Sequence, residues 1–281
     1  MPPPGFINLT IDPDAEEDLE NKSDNFTVLD MINQSIENKE IRDLCLTVND
    51  NIHTGNMSFI LDVLQKGKQI SARRGRGFVS SQSSPILGDL YVYRHNNQII
   101  KIANCDCDQY IAEFDIVREI AMQQYASTLQ TKCDFKVPLI KDYGKVKLPD
   151  YGNLALNYEC LYYFTMENIT ATTLREYLAT IDFDTTCTPL VKKINDIYGC
   201  LVRNNLYHND YHIENIMVDD ENINVIDYGL ATDKQVSLDD PPTYDCNSLK
   251  RIIKNGGSPR KRRRTKKYYR KNKKTKTRRK K

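Results

Sequence analysis

The 281-residue chain contains no run of even ten consecutive apolar residues, which excludes a membrane-spanning helix. It opens Met1-Pro2-Pro3-Pro4-Gly5, without the basic start and apolar stretch of an export signal, so a non-secreted, intracellular protein is expected. Its eight cysteines (Cys45, Cys105, Cys107, Cys133, Cys160, Cys187, Cys200, Cys246) never form a C-x-x-C pair. Cys105 and Cys107 are the close pair, and no second Cys/His pair stands at a zinc-site distance. In a chain without an export signal this pattern predicts reduced thiols that serve in packing, with no metal or disulfide role. The sequons Asn8-Leu9-Thr10 and Asn168-Ile169-Thr170 then carry no sugar, because glycosylation needs the secretory route.

What is present suits one large domain or two small ones. The chain is 40% hydrophobic and 28% charged, enough apolar matter for a core. A net charge of +2 hides an asymmetry. The last 22 residues, Arg260 to Lys281, hold 16 Lys/Arg and no acid, which leaves 24 basic against 38 acidic residues and a net of −14 in 1–259. The terminal polycation cannot bury itself. It is expected to be disordered and fits three partners: nucleic-acid phosphates, an import receptor, or an acidic protein surface, including the acidic body of the same chain.

Residues 1–28 are rich in Asp, Glu, Asn and Pro without an apolar period, and read as an acidic flexible lead-in. In 29–72 apolar residues recur at helical intervals, as in Leu29, Ile32, Ile36 and then Ile41, Leu44, which predicts a helical N-terminal extension of two or three short helices. From Lys66 the texture suggests loops. Two strands follow at Leu90–Tyr93 and Gln98–Ala103, joined by a hairpin turn at Arg94-His95-Asn96-Asn97. An amphipathic helix is expected over Ala112–Leu129, with Phe114, Val117, Ile120, Ala121 and Tyr125 on one face. Strand returns at Asn157–Met166, helices at Leu174–Thr180 and Leu190–Asn204, and two short strands at Ile216–Val218 and Ile223–Ile226. Beyond Asp227 the pattern fades, and Gly256-Gly257-Ser258-Pro259 links to the tail. Strands first and helices second indicate an α+β, two-lobed body over 73–255, with the basic tail at 256–281.

Chemistry concentrates in Tyr207-His208-Asn209-Asp210-Tyr211-His212-Ile213-Glu214-Asn215 and in Val225-Ile226-Asp227-Tyr228-Gly229. The segments resemble the catalytic loop H-x-D-x-x-x-x-N and the D-F-G-like element of the protein-kinase-like superfamily, over about Ser80–Lys250. A phosphoryl group in flight spreads charge over its oxygens, so a transfer site must gather metal, cation and hydroxyl acceptor. By that resemblance Asp210 would take or orient the proton of an attacking hydroxyl, and Asn215 and Asp227 would offer a neutral and an anionic oxygen to a divalent cation. That resemblance implies a β-rich N-lobe, a shortened helical C-lobe, and ATP with Mg²⁺ between them.

It also implies further site residues. Lys101, in the apolar strand Ile99-Ile100-Lys101-Ile102-Ala103, would hold nucleotide phosphates. Glu119 would pair with it, with Glu113 as the rival. Met166 would be the gatekeeper, and Glu167 and Ile169 would present backbone C=O and N–H to adenine. Ser83-Ser84-Pro85-Ile86-Leu87-Gly88 stands where the family has its glycine-rich loop and keeps one glycine, Gly88. His208 would be structural, and His212 would orient Asp210 or touch the γ-phosphate. Asn209 stands where regulated protein kinases carry an Arg, and His212 where Ser/Thr kinases carry Lys.

The resemblance therefore implies an ATP-dependent phosphotransferase, a protein Ser/Thr kinase first. A small-molecule enzyme of the aminoglycoside or choline kinase kind is the alternative, because of Asp210-x-His212 and the absent A-P-E element. A pseudokinase scaffold acting through the tail is the other. The Asn/Ile/Lys/Tyr-rich body with a basic terminus also resembles proteins of giant DNA viruses, which implies a viral factory, virion or host cytoplasm or nucleus.

Overall fold

The computed structural model describes residues 27–73, 90–105, 110–147, 160–219, 222–234 and 243–254. The acidic lead-in, Gly88 with its serine-rich neighbours, and the basic tail lie outside these.

Three helices come first: α1 (Val28–Ser35), α2 (Lys39–Asn51) and α3 (Met57–Lys66). Thr27 and Asp30 satisfy each other's backbone N–H groups at the start of α1, while Asn38 and Asn56 accept from the first turns of α2 and α3. Strand β1 (His53–Thr54) lies between α2 and α3. Then come β2 (Lys68–Arg73), β3 (Leu90–His95), β4 (Gln98–Cys105), α4 (Tyr110–Thr128), α5 (Gln130–Cys133), β5 (Ile140–Lys147) and β6 (Cys160–Glu167). After them stand β7 (Thr172–Thr173), α6 (Leu174–Leu178), α7 (Phe183–Arg203), β8 (Ile216–Asp219), β9 (Asn222–Val225), a 3-10 turn at Tyr228–Leu230 and α8 (Cys246–Lys254).

Strands β1 to β6 form one six-stranded sheet in the order β1-β5-β6-β4-β3-β2, antiparallel except for β1 beside β5. Strands β7, β8 and β9 form a second, three-stranded sheet. The result is a mixed architecture of sheets and helices, compatible with the α+β class. Between β3 and β4 the chain turns on Asn96 and Asn97, whose φ values of 47° and 59° lie in the left-handed region. Two such residues give the turn the handedness that matches twisted strands, and Asn tolerates it.

Two apolar clusters hold this arrangement. Ile60 and Val63 of α3 pack beneath Tyr93, Ile100, Ile102, Val146, Leu161 and Tyr163 of the large sheet. The larger cluster joins α1, α2, α4, α7 and the small sheet. Among the described residues no helix is long and apolar enough to cross a membrane.

Several local expectations change. Lys68–Arg73 is an edge strand, although most of it fell within the 29–72 stretch expected to be helical, and its register on β3 shifts between Gln69 and Ser71. β5 had no counterpart in the pattern, because its buried Val146 is flanked by lysines. α7 starts at an Asp182 cap and runs through Pro189, earlier than expected. α8 occupies a stretch where the apolar period had faded, and it buries Leu249 completely. α4 is not one-faced: Ala112, Ile116, Glu119, Met122 and Gln123 are buried as well. The helix is covered on almost every side because α1 and α2 pack on the face that would otherwise meet water.

The cysteines also depart from the expectation of reduced thiols. Cys133 is bonded to Cys200, and Cys187 to Cys246. Cys160 is disulfide-bonded too. The two identified pairs are 67 and 59 residues apart, so no short spacing marks them. The packing of α5 and α8 against α7 brings their Cα atoms within 5.6 and 5.9 Å. Cys45 is a free, fully buried thiol on α2, in keeping with a packing role.

Candidate active site

β4 is the fourth strand of six, so Lys101 sits in the middle of the sheet with covered neighbours on both sides. It is 6% exposed, and its ammonium lies over the Phe164 ring at 5.8 Å. A lysine so placed needs anions. It has two: Lys101 Nζ donates to Glu119 Oε1 of α4 and, at 2.7 Å, to Asp227 Oδ1. Burial alone pushes the Lys101 pKa down, but the charges and hydrogen bonds of Asp227 and Glu119 outweigh it and drive the value up, so the ammonium stays charged. Burial pushes the Glu119 carboxyl up against the pull of Lys101. Of the two glutamates weighed for Lys101, Glu119 makes the contact. Glu113 accepts from Tyr162 Oη and stands 3.5 Å from Lys145.

Asp227 holds φ at +64°, a left-handed conformation that a non-glycine residue adopts at some cost. The backbone around it is fixed by Ile226 N–H donating to Asn215 O at 3.0 Å and by His208. His208 is wholly buried, and burial lowers its pKa, so the neutral ring donates Nε2–H to Ile226 O at 3.0 Å. Its Nδ1 has no hydrogen-bond partner among the described residues. Gly229 follows two residues on. A Cβ there would meet Glu119 Oε2 at 3.3 Å and Asp227 Oδ1 at 3.5 Å, so the absence of a side chain leaves room for the ion triad.

Beside Asp227, Asn215 Nδ2 donates to Asp210 O at 3.0 Å and to Asp210 Oδ2 at 3.1 Å. That commits the nitrogen and leaves the amide oxygen as the atom available to a cation. His212 Nε2 lies 3.3 Å from Asp210 Oδ1 while its Nδ1 accepts Glu214 N–H at 3.2 Å, which fits the neutral Nε2–H tautomer. The hydrogen bond to Asp210 raises the His212 pKa against the opposing effect of burial.

A cleft of about 520 Å³ joins the two groups. Its walls include Ile70, Val92, Ile99 and Lys101 on the large sheet and Asn215, Met217, Ile226 and Asp227 on the other side. Met166, Glu167 and Ile169 line it as well. Glu167 N–H already donates to Leu139 O at 3.1 Å. Gly88 lies outside the described residues. The structure thus brings Lys101, Glu119 and Asp227 into contact, brings Asp210, His212 and Asn215 into contact, and sets Met166, Glu167 and Ile169 along the same cleft.

Two contributors, Arg175 and Arg118, were not singled out in the sequence, and Asn209 takes a structural role the sequence did not assign it. Arg175 of α6 pairs with Glu214 and braces the segment between His212 and Asn215. Arg118, beside Glu119, donates to Gly229 O at 3.3 Å. Asn209 adopts φ +55° and its side chain donates to Leu230 O at 3.0 Å and Thr232 Oγ1 at 2.8 Å, so it anchors the chain after Asp227. An Asn tolerated in a left-handed position was the available signal for the last.

Among the described residues no three His, Cys, Asp or Glu side chains form a metal-holding group. A magnesium ion held by one or two protein oxygens and by the phosphates of a nucleotide needs no such group, and Asp227 and Asn215 are hard oxygen donors of the right kind.

No family model matches the chain, and no curated protein matches it. Among solved structures, it is similar over 62% of its length to the kinase PK-1 of the Cydia pomonella granulovirus, at 14% identity and a TM-score of 0.32. It is similar over 53% of its length to WbdD, at 16% identity and a TM-score of 0.32. The chain spans 55% of the first and 32% of the second. Likeness this slight fixes neither fold nor activity.

Proposed function

We propose that the chain is a two-lobed, protein-kinase-like phosphotransferase that moves the γ-phosphoryl group of ATP to a hydroxyl, with protein Ser/Thr as the preferred acceptor. One observation carries the reading: Lys101 and Glu119, a buried ion pair, meet Asp227 at a cleft of nucleotide size that Asn215, held against Asp210, also lines. In this reading Lys101 binds the α/β-phosphates, Glu119 holds Lys101, and Glu167 and Ile169 meet the adenine through their backbones. Asp227 and Asn215 would hold Mg²⁺, which when bound neutralises charge on the phosphates. Asp210 orients the acceptor hydroxyl and takes its proton, and His212, in contact with Asp210, orients that carboxylate or touches the γ-phosphate. Gly88 would close over the phosphates. The basic tail would hold nucleic acid or an acidic partner.

The test is transfer of radiolabelled γ-phosphate from ATP with Mg²⁺, for wild type, Asp210→Asn and Asp227→Ala, on protein acceptors and on small alcohols. Loss of either carboxylate is expected to lower the rate by about a hundredfold or more. The Asp210–His212 contact favours a second reading, a small-molecule acceptor, and label confined to the alcohols would select it. No transfer to anything, with no shift in melting temperature on adding ATP, would overturn both.

A further inference from the structure

We propose that Asp233 is a positioning residue: its carboxylate clasps the α1–α2 junction to the segment that follows Asp227, and through α4 this clasp keeps Glu119 against Lys101. Asp233 is 7% exposed. Its Oδ2 accepts the backbone N–H of Glu37 at 2.5 Å and of Asn38 at 2.6 Å, across almost the full described length of the chain. Its Oδ1 has no hydrogen-bond partner among the described residues, so those two N–H groups alone offset the burial of a charge.

Helix capping does not explain the contact. The N-terminus of α2 is already capped by Asn38, whose own side chain accepts from Glu40 and Ile41. Asp233 takes the two N–H groups that precede the helix, and so joins two segments instead of finishing one. Lys234 adds an ion pair to Glu37 at 3.1 Å, but both side chains are exposed and the pair carries little.

The clasp closes a ring. α1 and α2 lie on α4 through Ile32, Ile41, Cys45 and Val48. The Cys45 thiol, pushed up to about 12 by burial, is held among the charges of Arg118 and Asp233. Arg118 reaches from α4 to Gly229 O, and Asn209 ties Leu230 and Thr232 to the Asp210 loop. Opening the chain at Asp233 therefore loosens both the support of α4 and the segment bearing Asp227, the two elements that present carboxylates to Lys101.

The proposed part in turnover rests on the phosphotransfer reading, but the clasp does not. Hydrogen exchange by mass spectrometry on the full chain compares wild type, Asp233→Asn, Asp233→Ala and Lys234→Ala, with ATP turnover measured on the same samples. Asp233→Ala is expected to speed exchange by about tenfold or more in 228–234 and in 112–122 together. Asp233→Asn, which keeps an acceptor without the charge, gives a smaller rise in both, and Lys234→Ala leaves both unchanged. Faster exchange in 228–234 while 112–122 keeps the wild-type rate, in either Asp233 variant, overturns the proposal. Should Asp233→Ala not fold, the Asn variant alone decides. Coupled exchange in a protein without transfer activity supports the clasp and sinks the phosphotransfer reading.

Discussion

Lys101→Met takes away the cation that touches both Glu119 and Asp227, and keeps much of the aliphatic volume. Two carboxylates then face each other in a site where Glu119 is 4% exposed. A bare buried charge is costlier than a proton, so Glu119 takes up a proton in the folded state. From an ordinary value of 4.5, holding that proton at pH 7 costs about 3.4 kcal/mol, at about 1.4 kcal/mol for each unit of separation. That falls within the range of about 3–5 kcal/mol for breaking a buried pair by removing one partner. The unfolded chain keeps Glu119 ionised at pH 7, so the folded variant binds one more proton than its unfolded state, and acid favours it.

The loss caused by Lys101→Met is therefore expected to shrink to about 1.4 kcal/mol at pH 5.5. Urea unfolding of wild type, Lys101→Met and the double variant Lys101→Met/Glu119→Gln at the two pH values measures this. In the double variant no carboxylate remains to titrate at Glu119, so about 3.4 kcal/mol returns at pH 7 and the pH dependence that Glu119 contributes disappears. A loss under about 1 kcal/mol at pH 7, or one equal at both pH values, would refute a buried ion triad at Lys101.

Removing the Cys133–Cys200 or Cys187–Cys246 bond by paired alanines is expected to cost about 4 kcal/mol each, from loops of 67 and 59 residues, as a drop in melting temperature that reducing agent reproduces in the wild type. The two histidines tilt stability in opposite directions with pH. His208 has a lowered pKa, so the stability it contributes above its ordinary 6.5 is lost as pH falls below that value. His212 has a raised pKa, so its contribution is present below 6.5 and fades as pH rises through the raised value; it stays small because the side chain is half-exposed. Denaturant titrations of His208→Phe and His212→Gln against wild type separate the two slopes. Gly229→Ala presses a methyl on Glu119 and is expected to cost about 1–2 kcal/mol of stability and proportionally more in transfer rate, measured on the same preparation.

Local patterns made part of this molecule legible. β3, β4, β8, β9 and the helix carrying Glu119 followed from period and turn chemistry, because each buries a regular set of apolar side chains. Lys101 and Glu119, eighteen residues apart, were readable on a strand and on the helix after it, and Asp210, Asn215 and Asp227 stood in one short stretch. β2 and β5 were not legible, since an edge strand and a strand with alternating lysines bury too few residues to leave a clear period. Nor were the disulfides, whose partners meet only because three helices pack together.

The residues that escaped reading have one physical cause in common. Asp233, Arg118 and Arg175 are ordinary charged side chains by their local sequence, and their partners lie 39 to 196 residues away. A catalytic carboxylate must be placed by its neighbours in the chain, so it leaves a local signature. A residue that couples two segments needs only an acceptor or donor at the place where they meet, and any sequence context will do. The all-round burial of α4 shows the same thing from the other side. Its second buried face, with Ala112, Ile116 and Met122, makes sense only once α1 and α2 are laid against it. A helix this fully enclosed cannot swing Glu119 away from Lys101 without first shedding α1 and α2, and Asp233 is the polar contact that ties the junction of those two helices to the segment bearing Asp227.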